Sequence, residues 1–240
     1  MHAILMAAGK GSRLGSMTAD IPKSFVEIKG KQLIDININM LRNHGINDIV
    51  IVTGCHADLF ESKFRNAAGI KLVYNPFYGF TNVIGSFFMG MNELKDDFVY
   101  MHADTLCDPS ILEDLLNTDA DVVLPVDAKP CDEEAMKVKC EKGKIRYINK
   151  TMDPKTCDGE FIGAAKIKAG VIPKLKEKTK ELLRKEAFSE YFEAALQCLL
   201  DDGDSVFASV TTNDRFWAEI DFMEDYLRAS ERIVSELYEF

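Results

Sequence analysis

The sequence of 240 residues predicts an α/β fold with a doubly wound, mainly parallel sheet. Two observations predict it. Short apolar runs of strand length alternate with helical patterns over the first half of the chain, and such alternation produces βαβ units with parallel strands. In addition, residues 48–53 (DIVIVT) are mostly apolar and rich in β-branched side chains, which is typical of a strand buried on both faces.

The alternation continues from the first residues to residue 126. We predict helices where apolar residues recur at helical spacing, at 32–43, 57–68, 83–94 and 109–117. We predict strands for the short apolar runs at 2–7, 48–53, 71–74, 98–102 and 120–126. Each helix would then return the chain to the start of the next parallel strand.

The pattern changes after residue 126. Residues 136–140 and 145–149 flank the sequence EKGK, which is a hairpin-type turn signal. We therefore interpret 127–160 as a small β insertion over one end of the sheet, within a single domain that spans 1–240. The elements predicted after it are a strand at 161–167, helices at 172–184 and 188–200, a strand at 205–210 and a closing helix from residue 222.

Charge and composition argue against several classes of protein. The formal net charge of −10 disfavours a nucleic-acid or membrane-surface protein, because such proteins gather positive charge on one face. No apolar stretch approaches the roughly 18 residues of a membrane span, and no signal-peptide pattern is visible. The six cysteines form no C-x-x-C pair, so we expect reduced thiols and a cytoplasmic location.

A glycine-rich loop follows the first predicted strand. Gly9 and Gly11 leave backbone N–H groups open to a phosphate chain, while Lys10 and Arg13 add positive charge. The spacing is not that of a P-loop, and the third glycine of a dinucleotide fingerprint falls one residue late, at Gly15. An ordinary turn between a strand and a helix stays open as the alternative. The candidate phosphate-binding residues of this loop are Leu5, Ala7, Ala8, Gly9, Lys10, Gly11, Ser12 and Arg13.

A second element, Pro22-Lys23, favours phosphate binding, because the proline fixes the backbone just before the lysine and so aims it. The combination A-A-G-x-G-x-R followed by P-K resembles the opening signature of the sugar-nucleotide and cytidylyltransferase superfamily. The resemblance runs over nearly the whole chain and is closest to the small-headgroup branch, the phosphocholine and 2-aminoethylphosphonate cytidylyltransferases. It implies that Gly9, Gly11, Arg13 and Lys23 hold the triphosphate of CTP.

Two acidic segments are candidates for a metal site. Asp104 follows a predicted strand, where open α/β sheets bind ligands, and Ala103 before it joins the nucleotide-binding set. Strand alternation places Trp217, Glu219 and Asp221 on one face. Either aspartate could instead cap a following helix. The resemblance implies that Asp104 and Asp221 hold Mg²⁺, with Glu219 as a nearby ligand, because phosphoryl chemistry needs a cation held by carboxylates.

The segment 80–86 begins a helix after a strand. Asn82 could be only the cap of that helix, which is a common role at such a position. In the headgroup cytidylyltransferases an Asn with a Ser one turn later lies beside the nucleotide, so the resemblance implies this role for Asn82 and Ser86. The preference for cytosine rests on the resemblance alone.

Residues 134–138, Lys150 and residues 159–163 resemble motifs of the same branch, so the resemblance implies acceptor binding in and beside the insertion. Lys137 or Lys150 would neutralise the phosphoryl group of the acceptor, and carboxylates with aromatic rings would surround an ammonium head. A solvated surface is an equally open alternative for most of these residues. The candidates around the head are Asp127, Glu134, Glu160, Tyr78 and Trp217.

The sequence therefore predicts a Mg²⁺-dependent cytidylyltransferase with Arg13, Lys23, Asp104 and Asp221 as its catalytic residues. Its acceptor would be 2-aminoethylphosphonate or phosphocholine, and a sugar 1-phosphate or polyol phosphate is the alternative. A non-catalytic nucleotide sensor is a less favoured alternative, because both aspartates are present. The insertion at 127–160 would serve either as a lid over the acceptor site or as a contact in a homodimer.

Overall fold

A computed structural model describes residues 1–232. The strands, in chain order, are β1 (His2–Ala7), β2 (Glu27–Ile28), β3 (Lys31–Gln32), β4 (Asp48–Thr53), β5 (Ile70–Tyr74), β6 (Phe98–His102), β7 (Thr105–Cys107), β8 (Val122–Asp127), β9 (Lys137–Glu141), β10 (Lys144–Asn149), β11 (Gly159–Phe161), β12 (Ala164–Ile167), β13 (Phe207–Thr211) and β14 (Trp217–Glu219). The α-helices are α1 (Leu33–Asn43), α2 (Ala57–Phe64), α3 (Val83–Gly90), α4 (Pro109–Asn117), α5 (Ile172–Arg184), α6 (Phe192–Asp202) and α7 (Met223–Arg232). The predicted closing helix beyond residue 232 lies outside the described residues.

The main sheet has the strand order β11-β9-β10-β13-β8-β12-β6-β1-β4-β5 within residues 1–232. The strands β6, β1, β4 and β5 are mutually parallel, as the alternation predicts. The other half is more mixed than predicted, because β12 runs antiparallel to both of its neighbours, β6 and β8. The predicted strand at 161–167 is divided into β11 and β12 at Gly163, whose φ of 81° breaks the extended run.

The hairpin predicted around residue 143 is present as β9 and β10. Lys142 and Gly143 both have positive φ, at 52° and 75°, which is the backbone of a tight two-residue hairpin turn. The hairpin extends the main sheet at one edge, because β9 pairs with β11 and β10 pairs with β13. Residues of the 127–160 segment are thereby fixed to the sheet beside the end of β8.

Helices cover both faces of the sheet, which is the doubly wound arrangement. On β1 the side chains alternate between two apolar clusters: Ile4 packs on the side of α3, α5 and α6, while Leu5 packs on the side of α1, α2 and α4. This alternation follows from the period of two along a strand. Both faces of β1 are buried, so the strand presents only its carboxyl end to the surface.

A third, smaller apolar cluster joins the segment after the glycine loop to the end of the chain. Leu14 and Ile28 pack with Ala218, Ile220 and Ala229. The same region contains a pairing between β14 and β7, in which Glu219 lies opposite Thr105. Sequence patterns did not predict the three-residue strand β7, and it is the element that brings the acidic segment at 217–221 to the end of β6.

Among residues 1–232, the longest and most apolar helices still fall short of what a membrane span requires.

Candidate active site

The glycine-rich loop leaves the carboxyl end of β1 with an open surface at Gly9. A methyl group built on Gly9 would meet no atom within 4 Å, whereas one on Gly11 would lie 2.8 Å from Cβ of Lys23. Gly11 also has φ of 63°, a conformation that glycine adopts without a steric cost. The Oγ1 of Thr18 donates a hydrogen bond of 2.8 Å to the Gly11 carbonyl. The loop is therefore held at Gly11 by contacts with Thr18 and Lys23, and its backbone is open to solvent at Gly9.

The predicted loop residues contribute in different ways. The side chains of Leu5 and Ala7 are buried in the core, so only their backbone groups can face a ligand. Lys10, Ser12 and Arg13 are exposed at the surface. The loop thus combines an apolar strand end with exposed cationic side chains beside it.

Lys23 lies at the centre of the site, between two of the predicted carboxylates. Its Nζ lies 2.6 Å from Oδ2 of Asp104 and contacts Oδ1 of Asp221. Arg13 Nη1 lies 3.0 Å from the other carboxylate oxygen of Asp221. The structure thereby brings together the four residues that the sequence predicts as catalytic, from the glycine loop, the Pro-Lys segment, the end of β6 and the segment after β14.

These contacts shift the pKa values of the buried partners. Burial lowers the pKa of Lys23, but the carboxylates of Asp104 and Asp221 outweigh this effect and raise its pKa overall. Burial raises the pKa of Asp104, yet the Lys23 ammonium and His102 hold it below its usual range. Both groups are therefore charged at neutral pH, and they stabilise each other's charge.

Local backbone contacts hold the two aspartates in place. The Ala103 N–H donates to the Met6 carbonyl at 3.1 Å, and the Ile220 N–H donates to the Asp104 carbonyl at 3.0 Å. Asp104 is therefore anchored to β1 on one side and to the segment that carries Asp221 on the other. The side chain of Asp225 caps the start of α7, because its Oδ2 accepts a hydrogen bond of 2.9 Å from the Phe222 N–H. The carboxylate of Asp221 is therefore not used as the cap and contacts the cations instead.

The predicted metal ligands fit a divalent cation. Asp104 and Asp221 contact the same ammonium, which shows that one positive centre can satisfy both carboxylates. Potential ligand atoms of Asp104, Glu219 and His102 also lie within 4.8 Å of one another. Carboxylate oxygens are the ligands that Mg²⁺ prefers, so Asp104 and Glu219 suit such an ion; Asp221 is outside this group and shares the Lys23 ammonium with Asp104.

His102 is a site residue that sequence patterns did not identify. Its Nδ1 lies 3.6 Å from Glu219 Oε1, and its Nε2 lies 2.9 Å from the hydroxyl of Tyr100. Burial lowers the pKa of His102, but the hydrogen bond and charge of Glu219 raise it to about 9. The imidazole is therefore cationic at neutral pH and partly balances the acidic cluster.

A cavity of about 670 Å³ opens beside the charged cluster. It includes Arg13, Glu219 and Asp221 at the end nearest the glycine loop, and it extends to the insertion. A second cavity of about 30 Å³ is lined by Gly9, Ala103 and Asp104, among others. The predicted acceptor residues that line the large cavity are Glu134, Lys150, Glu160 and Trp217.

The aromatic face predicted for an ammonium head is covered by a lysine of this chain. The Nζ of Lys129 lies 4.6 Å from the ring centroid of Trp217 and 2.8 Å from Oε2 of Glu160. The indole Nε1 donates to Oδ2 of Asp127 at 2.9 Å. Asp127, Glu160 and Trp217 thus form one group, as predicted, but an internal ammonium completes it.

A second lysine makes a similar arrangement on the other side of the cavity. Lys150 Nζ lies 5.1 Å from the ring centroid of Tyr191 and 3.1 Å from Oε2 of Glu134. Lys150 is partly exposed in this position, so its ammonium faces the cavity as predicted for a group that meets an anion.

Lys137 does not have the predicted role of neutralising the acceptor. Its side chain is 0% exposed, and its Nζ donates three hydrogen bonds to the carbonyls of Glu133, Ala135 and Lys150, at 3.0, 3.2 and 2.8 Å. An ammonium group has three donors, so none remains for a phosphoryl oxygen. Lys137 instead ties residues 133–135 to Lys150 within the insertion.

The residues predicted beside the base have local structural partners. Asn82 caps α3, because its Oδ1 accepts from Val83 N at 2.8 Å, so the cap alternative is correct for this carbonyl. The hydroxyl of Ser86 is buried and accepts from Asn75 Nδ2 at 3.0 Å. Ser86 is therefore held by Asn75, which in turn bonds to the Thr53 carbonyl at the end of β4.

Tyr78 lies beside the glycine loop and is absent from the lining of the large cavity. A methyl group built on Gly54 would lie 2.7 Å from the Cβ of Tyr78. The Nζ of Lys10 lies 6.0 Å from the centroid of the Tyr78 ring. Of the two aromatic residues offered as alternatives for the acceptor's ammonium site, Trp217 lines the large cavity, whereas the turn after β5 carries Tyr78 to the side of the loop.

Comparison with known proteins gives the family. Residues 3–133 match the MobA-like NTP transferase domain. The chain is 29% identical over 248 residues to the CTP:phosphoglutamine cytidylyltransferase of Campylobacter jejuni, an alignment that covers 94% of this chain and 97% of that protein. A stretch of 99 residues is 37% identical to the choline-phosphate cytidylyltransferase of Streptococcus pneumoniae, covering 41% of this chain and 43% of that protein.

A solved structure agrees with these similarities. The inositol-1-phosphate CTP transferase from T. maritima has a TM-score of 0.76 to this chain, with 25% identity over 99% of this chain and 93% of that one. The α/β fold and the nucleotidyltransferase family predicted from the sequence are confirmed by the family match and by this structural similarity. The chain belongs to the family of MobA-like NTP transferase domains.

Proposed function

We propose that this protein transfers CMP from CTP to a small acceptor that carries a phosphate or phosphonate group and an ammonium head, with Mg²⁺ as cofactor. The observation that carries the proposal is the position of Lys23, whose ammonium bridges Asp104 and Asp221 at the mouth of the glycine loop. Triphosphate-binding cations and metal-binding carboxylates thereby meet at one point, next to a cavity for the second substrate.

The nucleotide would lie along the glycine loop. The surface at Gly9 is open, Lys10 lies near the ring of Tyr78, and Arg13 lies at the adjacent end of the large cavity. Cytosine as the base is supported by three relatives, whose names specify CTP or a cytidylyltransferase. CTP is therefore the nucleotide that we propose.

The reaction needs positioning more than proton transfer. An oxygen of the acceptor's phosphoryl group attacks the α-phosphorus of CTP, the new P–O bond forms, and the bond to the β-phosphate oxygen breaks to release pyrophosphate. The attacking oxygen is already largely ionised near neutral pH, so no general base is required. Asp104 and Asp221 would hold Mg²⁺, which would supply charge neutralisation and Lewis-acid polarisation of the phosphates. Lys23 and Arg13 bind the phosphate oxygens and stabilise negative charge that develops on them.

The acceptor would occupy the cavity of about 670 Å³. Lys150 is placed to meet its anionic group, and carboxylates on the cavity wall favour a cationic head. Residues 127–160 would cover this site, because Lys129, Glu134, Lys150 and Glu160 all line the cavity. A polyol phosphate is a second candidate, supported by the similarity to the inositol-1-phosphate enzyme.

The six cysteines are free thiols in the structure. Free thiols are typical of proteins in reducing compartments, and this supports the cytoplasm as the place of action.

The test is pyrophosphate release in the presence of Mg²⁺. Each of CTP, UTP, ATP and GTP is combined with 2-aminoethylphosphonate, phosphoethanolamine, phosphocholine, inositol 1-phosphate and glucose 1-phosphate. We expect turnover with CTP and an amine-bearing acceptor, and its loss when EDTA removes the metal. Turnover only with UTP and a sugar phosphate would contradict the proposed nucleotide and acceptor, and turnover with no pair would contradict the proposed function.

A further inference from the structure

Glu193 is a buried carboxylate on the wall of the large cavity. It lies in the first turn of α6 and is 2% exposed, yet it is among the residues that line the cavity. The sequence patterns assign no role to it, and it is not among the residues proposed to bind the metal or the phosphates. A carboxylate in this position is costly unless a donor satisfies it.

One oxygen of this carboxylate, Oε2, has no hydrogen-bond partner in the structure. Other carboxylates on the same wall are satisfied: Glu134 by Lys150, Glu160 by Lys129, and Asp225 by backbone N–H groups. Among the described residues that line the cavity, Glu193 is the one with a buried side-chain oxygen left unpartnered. Native proteins leave few such atoms, so this one indicates a partner that comes from outside the chain.

His102 does not supply that partner. Its imidazole is close enough to interact electrostatically with Glu193, which offsets part of the cost of burying the negative charge. Its ring nitrogens, however, face Glu219 and the hydroxyl of Tyr100. The histidine therefore provides charge but leaves Oε2 without a donor.

Cations of this chain cover the aromatic faces of Trp217, Tyr191 and, through Arg13, Phe222 in the cavity, so these faces are not open to a quaternary ammonium. Lys129 covers Trp217 at 4.6 Å and Lys150 covers Tyr191 at 5.1 Å from the ring centroids. A quaternary ammonium is recognised mainly by aromatic faces and has no N–H to donate. The unpartnered group on this cavity wall is a carboxyl oxygen, which can accept a hydrogen bond from an N–H of a different head.

We infer that Glu193 accepts a hydrogen bond from a primary ammonium group on the acceptor and thereby selects primary over quaternary ammonium heads. This inference rests on the proposed function, because it names the residue that would recognise the second substrate. Glu193 would act in binding and specificity, with no part in the transfer step itself.

The test compares matched acceptors in Glu193→Met, which removes the acceptor oxygen, and Glu193→Gln, which keeps an oxygen but removes the charge. The first pair is 2-aminoethylphosphonate and propylphosphonate, which differ by a methyl group in place of the ammonium. The second pair is phosphoethanolamine and phosphocholine. In the wild type we expect kcat/KM to favour the primary amine in each pair by about tenfold to a hundredfold, the range for a hydrogen bond to a charged group. In Glu193→Met that preference should fall to within about threefold, and Glu193→Gln should be intermediate.

The matched control is Glu177→Gln, on the exposed face of α5, which should keep the wild-type preference. The KM for CTP should stay within about twofold in all variants, since Glu193 is inferred to contact the acceptor and not the nucleotide. A wild-type preference for phosphocholine, or an unchanged preference in a folded Glu193→Met protein, would overturn the inference.

Calorimetric titration with 2-aminoethylphosphonate separates this inference from the proposed function, because binding needs no turnover. Weaker binding to Glu193→Met than to the wild type supports the role of Glu193 even if no pyrophosphate is released. Equal binding, or no binding to either protein, overturns it. Absence of CTP-dependent turnover together with normal amine binding would contradict the proposed function alone.

Discussion

The ammonium of Lys23 lies 2.6 Å from Oδ2 of Asp104, and the same ammonium also contacts Asp221. The two aspartates come from distant parts of the chain, and each is held by backbone contacts to its neighbour segment. Lys23 therefore occupies the position between the carboxylates that a divalent cation would also favour. The lysine and a metal ion are alternative partners for the same pair of acids.

Replacing Lys23 by Met should separate these roles. Without the ammonium, the two carboxylates repel each other, so the melting temperature in EDTA should fall by a few degrees. Mg²⁺ should then stabilise Lys23→Met more than it stabilises the wild type, because the cation no longer competes with a lysine. The value of kcat should fall by about 10²–10³-fold, which is typical for loss of one preorganised cationic donor. Thermal unfolding with and without Mg²⁺, and pyrophosphate release, measure these effects; Lys180→Met on the exposed face of α5 is the control.

Replacing Asp104 by Asn should abolish turnover while most affinity for CTP remains. The carboxylate is proposed to hold the metal, whereas the loop and its cations hold the phosphates. Turnover should fall by at least about 10³-fold, and the dissociation constant for CTP without metal should change by less than about threefold. Asp214→Asn is a suitable control, since Asp214 is exposed with φ of 60°, a conformation that asparagine tolerates. Unchanged turnover in Asp104→Asn would remove the metal assignment.

Gly9→Ala should weaken CTP binding without affecting stability. The added methyl group meets no atom of the protein within 4 Å, so the melting temperature should stay within about 2 °C. The same methyl group would stand where a phosphate chain approaches the backbone, and KM for CTP should rise by about tenfold or more. Gly170→Ala also places its methyl group in open space and should change neither quantity. An unchanged KM in Gly9→Ala would indicate that the triphosphate lies elsewhere.

Lys137→Met should destabilise the protein without a specific loss of acceptor affinity. The variant leaves three carbonyl groups without the donor that they have in the wild type. The free energy of unfolding should fall by about 3 kcal/mol or more, as measured by denaturant unfolding. Lys139→Met, on the same strand but paired with exposed Asp158, should cost less than about 1 kcal/mol. A rise in acceptor KM with unchanged stability would instead restore the sequence-based prediction for Lys137.

Glu193→Gln should stabilise the protein in a pH-dependent way. Burial raises the pKa of Glu193, although the charge of His102 opposes the shift. At low pH the carboxyl group is protonated in both the folded and the unfolded protein, so its raised pKa does not change the free energy of unfolding. As the pH rises above the unfolded pKa of about 4.3, the group ionises more readily in the unfolded protein, and the free energy of unfolding falls. The melting temperature of Glu193→Gln should therefore match the wild type near about pH 4 and exceed it by about 2–4 °C near pH 8. A gain of the same size at both pH values would contradict ionisation as the cause.

Strand periodicity predicted much of the site because it acts locally. The alternation in residues 217–221 correctly assigned Ala218 and Ile220 to the buried side, where both are 0% exposed, and placed Glu219 and Asp221 on the side of the cavity. The glycine and Pro-Lys motifs predicted Arg13 and Lys23 as phosphate-binding cations, but not their contacts with Asp104 and Asp221. Each of these predictions needed only residues that are neighbours in the chain.

Contacts between distant segments could not be predicted in this way. Lys129 looks like a surface lysine in the sequence, and its position over Trp217 depends on how the end of β8 meets β14. Lys137 resembles any lysine on a half-exposed strand until the insertion folds around it. Glu193 lies at the start of a helix, where an acidic residue is usual because of the helix dipole. The neighbouring residues in the sequence therefore do not indicate that its side chain is buried at the cavity wall.

The charges of four side chains sum to zero at the centre of the site. Two of them are the cations Lys23 and Arg13, and two are the carboxylates of Asp104 and Asp221 that they contact. In a protein with a net charge of −10, this neutral cluster exerts no long-range pull on a free triphosphate, and the rest of the surface repels it. Capture of the nucleotide then depends on short-range fit, and its association rate rises with ionic strength as the repulsion is screened. A triphosphate already complexed with a divalent cation carries less negative charge and meets a lower barrier. The arrangement therefore discriminates between free and metal-bound nucleotide at the moment of encounter.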